Sequence, residues 1–131
     1  MSNMNYAGLK VLLSRYNASG LQVLAFPSNQ FGGQAPASNE CERAFAYKKV
    51  GVPYGAFPVF DKVDINGPTG LPLFRFLKSQ ARLPLCAGCE TAWNYEKFLV
   101  DEHGHAVSRY ASATSPLEAE SKIRELLGLT D

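Results

Sequence analysis

A helical stripe runs straight into a short apolar segment that proline closes, and this order constrains the fold more than any other feature of the chain. Tyr6, Leu9, Leu13 and Tyr16 recur at helical spacing, Leu12 widens the stripe, and Asn17-Ala18-Ser19-Gly20 supplies a stop. Leu21 to Phe26 then reads as a strand buried on both faces, as in an α/β sheet, ended by Pro27. A helix followed by a buried strand ordinarily continues an earlier parallel strand through a right-handed crossover. No such strand precedes the helix, so the sequence predicts an α/β fold lacking its N-terminal strands.

Further along, Ser38-Asn39 opens a second helix, with Glu42 placed to reach back to Asn39 as a capping box, and Gly51 and Pro53 break it. Phe57 to Ile65 reads as extended and ends in Asn66-Gly67, a tight-turn signal. Pro72 suits the first turn of a short helix through Leu73, Phe74 and Leu77. Tyr95 to Val100 and Ala106 to Tyr110 form a hairpin around Asp101-Glu102-His103-Gly104. Ser115-Pro116 with Glu118 caps a last helix whose apolar face is Ala119, Ile123, Leu126 and Leu127. No repeat or low-complexity tract interrupts this order, and residues 1–131 make a single domain.

Charge excludes some partners. Thirteen basic and 12 acidic residues leave a formal +1, which offers no electrostatic footprint for nucleic acid or an anionic membrane. No apolar run reaches the length of a membrane span, and no secretory core opens the chain. Three cysteines, an odd number, favour a reducing compartment, and a cytoplasmic location is expected, although a targeting signal ahead of Met1 would be missing.

Two polar clusters stand at the edges of apolar segments: Phe26-Pro27-Ser28-Asn29-Gln30-Phe31-Gly32-Gly33-Gln34 and Trp93-Asn94-Tyr95-Glu96-Lys97-Phe98. Taken alone, a glutamine or a Trp-Asn pair is a loop residue or a core aromatic. These clusters are flanked by Asn5-Tyr6, by Phe57 to Gly67, by Leu71-Pro72-Leu73-Phe74, by Arg109-Tyr110 and by Ser115-Pro116-Leu117. In this order and over nearly the whole chain, the blocks resemble the glutathione peroxidase family. The resemblance implies a thioredoxin-like fold, complete except for the N-terminal strands. It also implies reduction of hydrogen or organic and lipid hydroperoxides by glutathione or another thiol, with no bound cofactor. Gln34, Trp93 and Asn94 match the residues that hold and activate the nucleophile. Neutral amide and indole N–H groups suit that task, because they stabilise an anionic nucleophile and a developing alkoxide without neutralising either.

The nucleophilic selenocysteine or cysteine itself is not in the sequence. The family's nucleophile segment, laid onto Asn5-Tyr6, puts its threonine on Ser2 and its chalcogen residue upstream of Met1. Selenocysteine is encoded by a stop codon, so Met1 is expected to be an internal residue of a longer selenoprotein. A missing central strand, between Leu21–Phe26 and Tyr95–Val100, would leave backbone groups unpaired at ~1–3 kcal/mol each. Against about 5–15 kcal/mol of total stability, the 131 residues alone are expected to melt with little cooperativity.

The remaining cysteines do not replace the nucleophile. Ser28 stands where many family members have a cysteine other than the nucleophile, and reads as a hydroxyl capping the strand end. The resolving-cysteine position falls on Ala46 or Tyr47, which points to the branch reduced directly by free thiols, and Cys41 reads as a buried small hydrophobe. Cys86-Ala87-Gly88-Cys89 has redox spacing but lies in a loop after Pro84, with Glu90 beside Cys89 disfavouring a thiolate. It reads as loop thiols, an accessory disulfide or backup resolving pair, a metal-binding pair, or a minor thiol-disulfide oxidoreductase site. His103 and His105 face solvent in the hairpin turn and make no complete metal site. The short stretch between Leu77 and Trp93 resembles the monomeric, phospholipid-hydroperoxide type. A reading from another class is a non-catalytic remnant acting as a binding or regulatory partner.

Overall fold

The computed structural model describes residues 2–129 apart from Ala81, Pro84, Leu85 and Gly88, and describes the backbone alone of Arg82, Leu83, Cys86 and Ala87. Helix α1 (Ser2–Tyr16) runs into a 3-10 turn (Asn17–Ser19) that Gly20 ends in the left-handed conformation, φ +115°. The predicted stripe faces inward: Leu12 and Tyr16 are buried, and Tyr6 and Leu13 pack against the neighbouring helix α2 (Asn39–Val50).

Helix α2 starts where the sequence predicts, with a different cap. Ser38 is the N-cap and its Oγ accepts from Cys41 N at 3.2 Å. Glu42 accepts from Ala37 N (3.0 Å) rather than from Asn39, whose side-chain Oδ1 accepts from Lys62 N (3.0 Å). Cys41, expected to be buried, is an exposed free thiol on the first turn. Tyr47 is the buried one: its hydroxyl donates to Phe57 O, and its ring meets those of Tyr54 and Phe57.

Among the described residues the Leu21–Phe26 segment makes one parallel bridge, Ala25 with Val59, through Ala25 N to Pro58 O (3.0 Å) and Phe60 N to Ala25 O (2.9 Å). Its predicted burial on both faces fails at Leu24, which is 54% exposed. The chain then turns at Asn66-Gly67, with Gly67 at φ +79°, and enters α3 (Pro72–Gln80).

Strands β1 (Arg82–Leu83) and β2 (Cys86–Ala87) pair with each other in antiparallel fashion. The predicted hairpin is β3 (Lys97–Val100) with β4 (Ala106–Tyr110), its register broken by an irregularity at Leu99/Val100. Among the described residues these two small sheets are separate, and neither pairs with the Ala25–Val59 bridge. A 3-10 turn (Pro116–Ala119), capped by Ser115 Oγ on Leu117 N, leads into α4 (Glu120–Leu126). Ala119 and Ile123 are buried as predicted, whereas Leu126 lies on the exposed side.

The apolar interior has three parts. Phe31, Ile65, Phe74, Leu77 and Ala106 pack beneath the two polar clusters. Ala46, Tyr47, Val50, Phe57 and Val59 join α2 to the bridge, and Leu12, Tyr16, Ala119 and Ile123 join α1 to α4. No helix among the described residues is long and apolar enough to cross a membrane.

Candidate functional site

The loop after Phe26 doubles back through Gly32 and Gly33, both at positive φ (+68° and +60°), a conformation glycine adopts without steric cost. Asn29 holds the curl by accepting from Ala35 N at 3.0 Å, and buried Ser28 accepts from Gln30 N at 3.3 Å, the strand-end role read for it from the sequence. This fold of the loop brings Gln34 back over Phe31.

Trp93 and Asn94 arrive from the other side. Asn94 Nδ2 donates to Phe31 O (3.2 Å) and to Gln34 Oε1 (3.1 Å), so one amide ties both ends of the glycine curl. Trp93 packs edge-on to Phe31, ring centres 6.4 Å apart, and lies over Gly32. The three residues singled out in the sequence, 60 positions apart in the case of Gln34 and Asn94, therefore meet. Because Gln34 spends its oxygen on Asn94, its NH2 has no protein partner among the described residues, and neither has the indole N–H of Trp93. Both side chains reach the surface. The arrangement offers neutral N–H donors at the rim of an apolar floor, which can stabilise a negative charge placed over them.

Behind the donors, Tyr95 takes φ +65°, the left-handed region that costs a non-glycine residue about 1–2 kcal/mol. Tyr6 braces it with an edge-to-face contact, ring centres 5.4 Å apart. Burial, followed by its hydrogen bond and charge coupling to Tyr95, pushes the Tyr6 phenol well above its ordinary range, so it stays protonated. Asn5, the other half of the Asn5-Tyr6 block, is 1% exposed and donates to Ser112 O at 3.0 Å. It accepts from Lys97 Nζ at 2.6 Å, and Lys97 also donates to Ala111 O and Thr114 O. Burial lowers the Lys97 ammonium to about 8.

Several supporting residues gave no sign of their partners in the sequence. Glu96 accepts from Ala92 N (3.2 Å) and forms a buried ion pair with Arg109 Nε. Lys78, 4% exposed, donates to Ile65 O, Asn66 Oδ1 and Glu90 Oε1. That bond from Lys78, and then one from Gly67 N, hold the Glu90 carboxyl below its ordinary range. Apart from the Glu96–Ala92 bond, these contacts join residues more than ten positions apart, so no local pattern announces them. Among the cysteines, Cys89 is disulfide-bonded, whereas the Cys86 side chain lies outside the described residues. His103 and His105 are exposed, and the backbone N–H of each donates to Asp101.

Residues 1–78 match the family model for glutathione peroxidase. Over 127 residues the chain is 46% identical to the chloroplastic phospholipid hydroperoxide glutathione peroxidase of Pisum sativum, covering 97% of this chain and 52% of the relative. It is 45% identical over 127 residues to a Citrus sinensis protein described as a probable phospholipid hydroperoxide glutathione peroxidase, covering 97% and 73%. The chain thus spans about half the length of the pea relative. The crystal structure of T. cruzi GPX1 matches with a TM-score of 0.70 at 31% identity, over 95% of this chain and 71% of that one. With the thioredoxin-like fold shared at that level and the family model covering more than half of the residues, the chain belongs to the glutathione peroxidase family.

Proposed function

We propose that this chain carries the donor side of a thiol-dependent peroxidase that reduces hydrogen and organic hydroperoxides, lipid hydroperoxides among them. The observation that carries this reading is the convergence of Asn94 on Phe31 O and Gln34 Oε1, with Trp93 over Gly32, which leaves the Gln34 NH2 and the Trp93 N–H unspent. A chalcogenolate held above these donors attacks one peroxide oxygen and the O–O bond breaks. The leaving alkoxide takes a proton and departs as alcohol, or as water when the substrate is hydrogen peroxide. Two thiols then return the oxidised chalcogen to its starting state, releasing water and one disulfide. The donors contribute by favouring the anion over its protonated form and by stabilising charge as the O–O bond lengthens. The relatives' descriptions name phospholipid hydroperoxides, and we extend that substrate class to this chain.

This reading calls for a selenocysteine or cysteine nucleophile, and the family's nucleophile segment, laid onto Asn5-Tyr6, falls ahead of that block. Reading the nucleotides upstream of the Met1 codon tests this directly: an in-frame TGA flanked by codons for an apolar strand supports it, and a conventional stop without such codons sinks it. The activity test uses the protein with that segment restored, glutathione as reductant, and phosphatidylcholine hydroperoxide beside hydrogen peroxide. Turnover should fall by roughly 10²-fold in Gln34→Ala, the scale for losing one donor to a developing anion. Wild-type rates in Gln34→Ala and Asn94→Ala together would overturn the donor assignment.

A further inference from the structure

Trp93 and Asn94 stand on a stretch, residues 89–96, that belongs to no helix or strand. Something other than a backbone ladder must fix it. Asn66, from the turn that follows the extended segment, supplies the substitute: its Nδ2 donates to Thr91 O at 2.7 Å and its Oδ1 accepts from Thr91 N at 2.9 Å. One side-chain amide thus does for Thr91 what a paired strand residue does in a sheet. The amide oxygen also accepts from Lys78 Nζ at 3.2 Å, and Lys78 goes on to Glu90 Oε1 at 3.0 Å.

The backbone of the same residue is gripped by the other donor loop. Gln30 Oε1 accepts from Asn66 N (2.9 Å) and from Ile65 N (2.6 Å), while Gln30 Nε2 donates to Asn66 O (3.0 Å). Asn66 is therefore held by the loop that bears Gln34 and itself holds the loop that bears Trp93 and Asn94. As a turn residue alone, it would need only the conformation that lets Gly67 take φ +79°, and aspartate serves that purpose equally well. The bond to Thr91 O requires an amide N–H.

We propose that Asn66 is a positioning residue that sets the spacing between the Gln34 loop and the Trp93–Asn94 loop. Its importance to turnover rests on the donor assignment made above, but the placement does not. Trp93 is the sole tryptophan of the chain, so its emission and its quenching by acrylamide read the placement without any peroxide chemistry.

The test compares wild type, Asn66→Asp and Asn66→Ala. The aspartate keeps the turn and the acceptor for Thr91 N and Lys78, and sets a carboxylate oxygen against Thr91 O. The alanine removes the amide without adding charge. Both variants should shift Trp93 emission to the red and roughly double its quenching constant, because Asn66→Asp loses the bond to Thr91 O and Asn66→Ala loses both bonds to Thr91, with far-UV circular dichroism unchanged. Identical emission and quenching in all three proteins overturns the proposal. So does a drop in melting temperature with the native Trp93 signal intact, which would make Asn66 structural only. Failure of the peroxidase reading would leave the fluorescence result standing.

Discussion

Trp93 lies so close over Gly32 that a β-carbon at Gly32 would sit 2.8 Å from Cη2 of the indole, nearer than real β-carbons approach any atom. Position 32 also has φ +68°, so an L side chain there meets both a strained backbone and the ring.

Replacing Gly32 with alanine should therefore cost about 1–2 kcal/mol in backbone strain alone and push the indole outward. Urea denaturation reads the first effect and Trp93 emission the second. A variant with unchanged stability and unchanged emission would show that the ring does not rest on Gly32.

Lys97 gives the chain a pH response of defined sign. Its folded value of about 8, lowered by burial, lies below the ordinary lysine value of 10.5, so between those pH values the unfolded chain binds more protons. Stability contributed at this site therefore rises with pH from 8 to 10.5 and levels off above that, where Lys97 is neutral in both states. Relative to Lys97→Met, the wild-type urea midpoint should climb over that window. A difference that is flat or falls with pH would contradict the assigned burial.

The Glu96–Arg109 pair is almost wholly shielded, with side chains 3% and 0% exposed. The terminal nitrogens of Arg109 have no partner among the described residues, and the guanidinium carbon lies 5.1 Å from the centre of the Phe98 ring. Glu96→Ala leaves that cation uncompensated and should cost ~3–5 kcal/mol. Adding Arg109→Met should recover part of the loss. A double variant as unstable as the sum of the singles would show that the two side chains are not coupled.

Tyr47 is held by its hydroxyl as well as its ring. Tyr47→Phe leaves the buried Phe57 carbonyl without this donor, at about 1–3 kcal/mol. Thermal unfolding checks it, and a change below a few tenths of a kcal/mol would mean that the carbonyl finds another donor.

What the sequence by itself determined is local. The spacing of Tyr6, Leu9, Leu13 and Tyr16 made α1, Ser38 opened α2, and the turn at Asp101–Gly104 joined β3 to β4. These outcomes depend on contacts within one turn or one hairpin, so a single chain segment carries all the information. Gln34, Trp93 and Asn94 stood out in another way, through blocks of residues in family order rather than through periodicity, and the structure brings them together. Tertiary structure decided the rest. Glu42 accepted from Ala37 N rather than from Asn39, Cys41 turned to solvent while Tyr47 took the interior, and Leu21–Phe26 kept one bridge among the described residues rather than a full ladder. Asn66 illustrates the reason most clearly. Its composition announces a turn, but its hydrogen bonds go to Thr91, Lys78 and Gln30, which lie 12 to 36 residues away in the chain. Which donor meets which acceptor across such separations depends on how whole elements pack, and no local pattern encodes it.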